Sequence, residues 1–201
     1  MITHLVGMSL GPSSSVETGV AVMDISAGKI IHLDKLFSMN DVQLFFENYV
    51  SLKNSLICVS LPWNNTMLEG KWRILSKPYQ LICSEKEMFL NRDNWMQRFS
   101  TRGCDLLSKL HEDGCEILRY EVYLTRQKYN LYSNYKEHSS ADCKFLQSAL
   151  KLEYGFEELP QNMIPAAQLE AIVGILLAKD VLENKTEVIF DFNKLKVVNK
   201  K

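Results

Sequence analysis

The sequence predicts a mixed α/β fold whose central sheet is flanked by helices. Three strands come in succession, at Leu5–Leu10, Thr18–Asp24 and Lys29–Leu33, and are separated by a Gly/Pro/Ser loop and a short turn. A helix predicted over 40–53 then leads to Ser55–Ser60, an almost continuously apolar run that is typical of a buried parallel strand. A strand, a helix and a second strand form a crossover unit, which makes the sheet mixed.

Composition places the chain among ordinary globular proteins. Its 201 residues suit one domain spanning 1–201, and 46% of them are apolar and 23% charged. A net charge of −1 argues against an extensive basic surface for nucleic acid and leaves room only for a local patch. Five irregularly spaced cysteines form neither a disulfide framework nor a zinc motif, and no signal peptide or membrane span is visible. These features predict a cytoplasmic protein without a membrane partner.

The remaining elements differ in how clearly the sequence defines them. Residues 64–100 carry mixed charges and tryptophans without a regular period, which indicates an irregular insertion within the domain. The elements after it are predicted as a helix at 101–113, a strand at 116–124, a basic tyrosine-rich connector at 125–135, helices at 139–152 and 165–182, and an edge strand at 187–192.

The helix predicted at 165–182 carries an acidic residue on an unusual face. Its core stripe recurs at helical spacing and consists of Leu169, Ile172, Val173 and Leu176. Glu170 instead shares a face with small residues, namely Ala167, Ala171, Gly174 and Ala178. Small neighbours let a helix approach another backbone closely, so we expect Glu170 to enter a narrow space. The alternative is an exposed glutamate at the rim of a packing seam.

Six short segments together carry a family resemblance. They are Val6–Leu10, Thr18–Asp24, Val59–Trp63, Arg102–Asp105, Tyr120–Tyr123 and Ala167–Ala171. With these segments in this order, the chain resembles, over nearly its whole length, the predicted ribonuclease-H-like nucleases known as domain of unknown function four-twenty-nine. The resemblance implies a ribonuclease-H-like sheet, in which the first strand is central and its middle presents a metal-binding carboxylate.

The same resemblance implies where an active site would stand. The family's acidic positions in the first strand, the central strand, the later strand and the last helix fall on Ser9, Ser60, Glu121 and Glu170, and a basic residue of the family matches Lys136. Two-metal hydrolysis of phosphodiesters needs ligands that hold two divalent ions about 3.5–4 Å apart. A neutral serine hydroxyl is too weak a ligand to replace a bridging aspartate, so we expect a degenerate metal site.

Two functions follow from a degenerate site. The favoured one is a non-catalytic module that binds a protein partner or a nucleic acid near the former cleft, and a homo-oligomer is a further form of partner. The alternative is a weak nuclease that uses Mg²⁺ or Mn²⁺ held by Glu121 and Glu170. A nearby carboxylate such as Asp24 or Asp105 would then assist them.

The connector before the last helices interleaves tyrosines with basic side chains. Tyr129, Tyr132 and Tyr135 would stack on unpaired bases of a nucleic acid. Arg126, Lys128 and Lys136 would then meet the phosphates. A tyrosine-anchored surface loop or a protein-contact patch is the more common explanation of such a segment, and we favour it.

Overall fold

The computed structural model describes residues 1–11, 13–49, 52–60, 102, 106, 110, 115–192 and 195–201. The strands in these ranges are β1 (His4–Ser9), β2 (Thr18–Asp24), β3 (Lys29–Leu36), β4 (Ser55–Ser60), β5 (Glu116–Tyr120), β6 (Thr186–Phe192) and β7 (Leu195–Lys200). The helices are α1 (Met39–Tyr49), α2 (Val122–Lys128), α3 (Ser140–Leu152) and α4 (Ala166–Leu182), with a 3-10 turn at Leu52–Asn54. None of the helices within these ranges has the length and apolar character that crossing a bilayer requires. The insertion predicted at 64–100 lies outside the described residues.

The strands form one mixed sheet in the order β3–β2–β1–β4–β5–β7–β6. Strands β1, β4, β5 and β7 run parallel to one another. The pairs β1–β2, β2–β3 and β6–β7 are antiparallel. The predicted fold class, a mixed α/β domain with helices flanking a central sheet, is confirmed. Because β1, β4 and β5 are parallel neighbours, their carboxyl ends meet at one edge of the sheet.

Each face of the sheet has its own apolar core beneath helices. On β1, Leu5 belongs to the core under α3 and α4, whereas Met8 belongs to the core under α1. Side chains alternate along a strand, so Ser9 faces α4 as Leu5 does. Helical residues Leu106 and Leu110 are buried in the core under α1.

Helix α4 packs closely against β1 and β2 because glycines face it. A Cβ atom added at Gly7 would lie 1.8 Å from the carbonyl oxygen of Ala171, and one added at Gly19 would lie 2.0 Å from the carbonyl oxygen of Ala167. Both distances are far inside van der Waals contact, so neither position has room for a side chain. The expected close approach of this small-residue helix face to another backbone is confirmed.

Local signals set the starts of three helices. Ser38 and Asp41 form a capping box before α1: the Asp41 N–H donates to Ser38 Oγ at 3.1 Å, and the Ser38 N–H donates to the Asp41 carboxylate at 2.7 Å. Ser139 caps α3 by accepting a hydrogen bond from the Asp142 N–H at 3.3 Å. Pro165 occupies the N-cap position of α4. The two predicted starts at Ser139 and Pro165 therefore lie within one residue of the observed ones.

The strand predicted at 116–124 is too long. Strand β5 ends at Tyr120, and α2 begins two residues later, so the connector predicted from residue 125 starts within a helix. The apolar and β-branched residues after Glu121 favour a strand by their propensity. The Glu121 carboxylate favours a helix instead, because it accepts a hydrogen bond from the Leu124 N–H at 2.7 Å and caps α2.

The end of the chain contains one strand more than the sequence analysis predicts. Strand β6 is at the edge of the sheet, as predicted, but β7 follows it and inserts between β5 and β6. Lys196 and Lys200 interrupt the apolar pattern of β7. The sequence therefore looks like a polar tail, although the strand has partners on both sides.

Substituting Gly7→Ala tests the close packing of α4. Because the new methyl group would collide with backbone and not with a flexible side chain, we expect a loss of about 3 kcal/mol in the free energy of unfolding, the upper end of typical overpacking costs. Urea denaturation followed by circular dichroism measures it. Gly28→Ala is the matched control, since nothing lies within 4 Å of its added Cβ and only its positive φ of 65° is strained. That strain costs about 1 kcal/mol. Equal losses in the two variants would contradict the packing argument.

Candidate functional site

Polar side chains gather where the parallel strands end beneath α4. Ser9 at the end of β1 is in register with Ser60 at the end of β4, and Ser60 is in register with Tyr120 at the end of β5. Leu56 and Cys58 on β4 belong to the core under α4, and strand alternation therefore turns Ser60 to the same face. The structure thus brings the two predicted serines side by side.

Glu170 on α4 is the centre of this group. Ser9 Oγ donates a hydrogen bond to Glu170 Oε2 at 2.7 Å, and His138 Nε2 lies 2.6 Å from Glu170 Oε1. Only 7% of Glu170 is exposed. The Tyr120 hydroxyl donates to the backbone carbonyl of Glu170 at 2.6 Å and so ties the helix to β5. Both carboxylate oxygens therefore already have protein partners.

Glu121 lies at the same edge but has a different task. Its carboxylate caps α2, and only 6% of the residue is exposed. The pKa of Glu121 is raised to about 7, mainly by burial and to a smaller extent by the negative charges of Glu137 and Glu170. Glu121 and Glu170 are thus close enough to influence each other electrostatically. One carboxylate oxygen of Glu121 is already committed to the start of α2.

His138 is the partner that sequence reasoning missed. It sits in the turn before α3 with a positive φ of 61°, and its side chain is 56% exposed. The hydrogen bond to Glu170 is the main cause that raises the pKa of His138, so the protonated ring and the carboxylate form an ion pair over a wider pH range. No spacing rule links residues that are 32 positions apart in the chain. The sequence therefore contains no local signal for this contact.

Two of the other predicted site residues do not join this group in the structure. Arg126 is 1% exposed and makes a two-point ion pair with Asp142 at 2.7 and 3.2 Å, so the prediction that it meets phosphate is wrong. Asp24 lies at the opposite end of the sheet, beside His4, and its carboxylate holds the β2–β3 turn. Asp105 lies outside the described residues. Lys136 is exposed and lies two residues before His138.

The group does not fit a two-metal centre. Such a centre needs several ionised carboxylates around two ions. Here the ends of β1 and β4 carry neutral hydroxyls, and one carboxylate oxygen of Glu121 is committed to the start of α2. Among the described residues, the set that could surround one ion is Glu137, His138 and Glu170, whose ligand atoms all lie within 4.8 Å of one another. A mixed nitrogen and oxygen set suits Mn²⁺ or Zn²⁺ better than Mg²⁺.

An open cleft of about 450 Å³ adjoins the group. Ser9, His138 and Glu170 line it. The loop after β1 also lines it, with Gly11, Val16 and the acidic Glu17. The first turn of α4 also faces this cleft, and no side chain caps its free N–H groups. The carboxyl end of the sheet is therefore accessible to a ligand even though its carboxylates are paired.

Comparison with solved structures identifies the fold. The chain is similar to RuvC of T. thermophilus solved in complex with a Holliday junction substrate, with a TM-score of 0.51, 11% sequence identity, and coverage of 90% of this chain and 96% of that one. A Thermus thermophilus RuvC structure aligns over the same shares with 12% identity and a TM-score of 0.45. No family model and no curated protein matches the sequence. At this identity the likeness shows the fold alone, and it confirms the predicted ribonuclease-H-like architecture.

Glu121→Gln tests the buried protonated carboxyl. The folded protein holds a proton that the unfolded chain releases between pH 4.5 and about 7, so wild-type stability should fall as the pH rises through this window. The expected fall is on the order of 2–3 kcal/mol, at about 1.4 kcal/mol per pKa unit. Gln keeps a cap acceptor but cannot ionise, so the variant should lose less stability there. The raised pKa of His138 acts in the same direction in both proteins. Unfolding by urea at a series of pH values measures the difference. Glu157→Gln, at an exposed position, is the control. If Glu121→Gln lost as much stability with rising pH as wild type does, the assignment of this pH dependence to Glu121 would be contradicted.

Proposed function

We propose that this protein is a ribonuclease-H-like domain that binds nucleic acid at the carboxyl ends of its parallel strands without hydrolysing it. One observation carries the proposal. The carboxylates that reach this edge are already bonded within the protein, Glu170 to Ser9 and His138 and Glu121 to the start of α2. The cleft beside them remains open to a ligand.

Charge supports binding over catalysis. Hydrolysis through two metal ions requires concentrated negative charge, which the hydroxyls of Ser9 and Ser60 do not provide. Binding requires the opposite, because the backbone of a nucleic acid is anionic. The His138 ring, when protonated, offsets the charge of Glu170 and lowers the repulsion at the mouth of the cleft.

The choice of nucleic acid as ligand is supported by the fold and by local charge. The RuvC structure that shares the fold was solved with a Holliday junction substrate. A chain with a net charge of −1 needs a local basic patch to bind an anionic nucleic acid. Lys128 and Lys136 are exposed at the two ends of the segment that leads to His138. They are the groups that we expect to meet phosphates.

Binding without cleavage is the main expected outcome. Labelled four-way junction, duplex and single-stranded DNA, with RNA and hybrid counterparts, should bind in fluorescence anisotropy titrations with EDTA present. None should be cleaved with Mg²⁺ or Mn²⁺ at high protein concentration, because the ligands for two ions are lacking. Cleavage is read from gels of the labelled strands, and Glu170→Gln should leave the band pattern unchanged. Absence of binding to every nucleic acid would contradict the proposal.

Lys136→Glu should weaken binding through lost phosphate contact. Loss of one phosphate contact reduces the slope of log affinity against log salt by about 1. Anisotropy titrations at several salt concentrations measure that slope. Lys53→Glu is the matched control, since Lys53 is exposed just before β4 begins, at the opposite end of the sheet. Equal salt slopes for the two variants would place the ligand elsewhere.

A weak metal-dependent nuclease is the second candidate. It is supported by the cluster of Glu137, His138 and Glu170, which joins a buried carboxylate to two accessible ligands. In that case Glu170 would act with these neighbours in place of Glu121. Cleavage that requires Mn²⁺ and disappears in Glu170→Gln, in the same gels, would favour this candidate over the non-catalytic one.

A further inference from the structure

A buried ion pair fixes the loop between α2 and α3 from the inside. The Asp142 carboxylate accepts hydrogen bonds from the Arg126 guanidinium, from Ser133 Oγ at 2.7 Å and from the His138 N–H at 3.1 Å. These donors lie before, within and at the end of the loop. Leu131, which is fully buried, adds two bonds to Arg126: its N–H donates to the Arg126 carbonyl at 2.8 Å, and its carbonyl accepts from Arg126 Nε at 3.1 Å. The loop is therefore held in one conformation.

This fixed loop presents two tyrosines to solvent. Leu131 and Ser133 are buried, whereas 47% of Tyr132 between them is exposed. Tyr135 is 57% exposed. The ring of Tyr123 packs against Tyr132 edge to face, with centroids 5.0 Å apart at 78°. We call Tyr132 and Tyr135 the tyrosine ledge.

The ledge adjoins the candidate site and carries the charge that a nucleic acid needs. The loop continues from Tyr135 through Lys136 and Glu137 to His138, whose ring contacts Glu170. Lys128 and Lys136 are exposed on the two sides of the ledge, and Glu137 is the acidic residue in this stretch. Exposed aromatic rings flanked by lysines are the combination that holds single strands, through stacked bases and neutralised phosphates.

We propose that the tyrosine ledge stacks unpaired nucleobases and so gives this protein a preference for nucleic acids with single-stranded segments. The inference rests on the proposed nucleic-acid binding and adds the substrate class. Stacking on a ring that is already fixed costs little conformational entropy, since Asp142 and Arg126 hold the loop before the ligand arrives. Of the predicted trio of tyrosines, Tyr129 takes no part, because it is 3% exposed and bonds to Asp180.

The test compares a single strand with a duplex. Anisotropy titrations use labelled oligodeoxythymidine and a fully paired duplex with wild type, Tyr132→Leu, Tyr135→Leu, and Tyr132→Phe. Each Leu variant should bind the single strand about 5- to 150-fold more weakly, the range expected for one lost base stack. Duplex affinity should stay at the wild-type value, and Tyr132→Phe should retain single-strand affinity because its ring remains.

A second readout reports stacking directly. A single strand containing 2-aminopurine should lose fluorescence when it binds wild type. It should lose less when it is saturated with Tyr135→Leu. Tyr49→Leu removes a tyrosine of similar exposure, 52%, from α1 on the other face of the sheet, and should change nothing.

The outcomes separate this inference from the proposed function. Wild type that binds neither oligonucleotide would overturn both. Two results would overturn the ledge alone while wild type still binds. In one, the Leu variants have the single-strand affinity of wild type; in the other, they lose single-strand and duplex affinity equally. Capture of a peptide partner by the ledge, with unchanged nucleic-acid affinity in the Leu variants, would assign the surface to a protein instead.

Discussion

The close contact between α4 and the first two strands is the constraint on which the rest of the structure depends. Gly7 and Gly19 have no side chains, so carbonyl oxygens of Ala171 and Ala167 reach the strand backbones. That approach buries Glu170 and brings it to Ser9 at the end of β1. The hydroxyl of Tyr120 secures the same helix from β5. A larger residue at either glycine would push the helix away from the sheet and disrupt the candidate site.

The chemistry of the strand ends follows from this burial. A buried carboxylate is stable only when it is hydrogen-bonded, paired with a cation or protonated. Glu170 takes the first two routes through Ser9 and His138, and Glu121 combines a helix cap with a pKa raised to about 7. The charge of these two carboxyl groups is therefore largely offset within the protein, while Glu137 and Glu17 keep negative charge nearby. Offset charge is unfavourable for collecting divalent ions and tolerable for an anionic polymer, which is why we propose binding as the function of the site.

Recognition, in this view, is divided between two rigid parts. The cleft beside Glu170 belongs to the sheet and α4, and the tyrosine ledge belongs to a loop that Arg126 and Asp142 hold in place. On the proposed function, Arg126 would serve the ligand indirectly, through the loop, instead of meeting it. A buried ion pair contributes little net stability but defines conformation when all its bonds are made. His138 connects the two parts, because its N–H bonds to Asp142 and its ring to Glu170.

The sequence by itself determined the fold class, most strand and helix positions, and the close packing of the helix face that carries Glu170, because alternation, helical period, caps and small residues are local patterns. The resemblance directed attention to Ser9, whose bond to Glu170 the structure then displays. Only the tertiary structure decided that α2 replaces the end of a predicted strand, that β7 enters the sheet, that Arg126 is buried and that His138 pairs with Glu170. Each of these depends on partners distant in the chain. Such partners meet only in the folded chain, where packing overrules the local preferences.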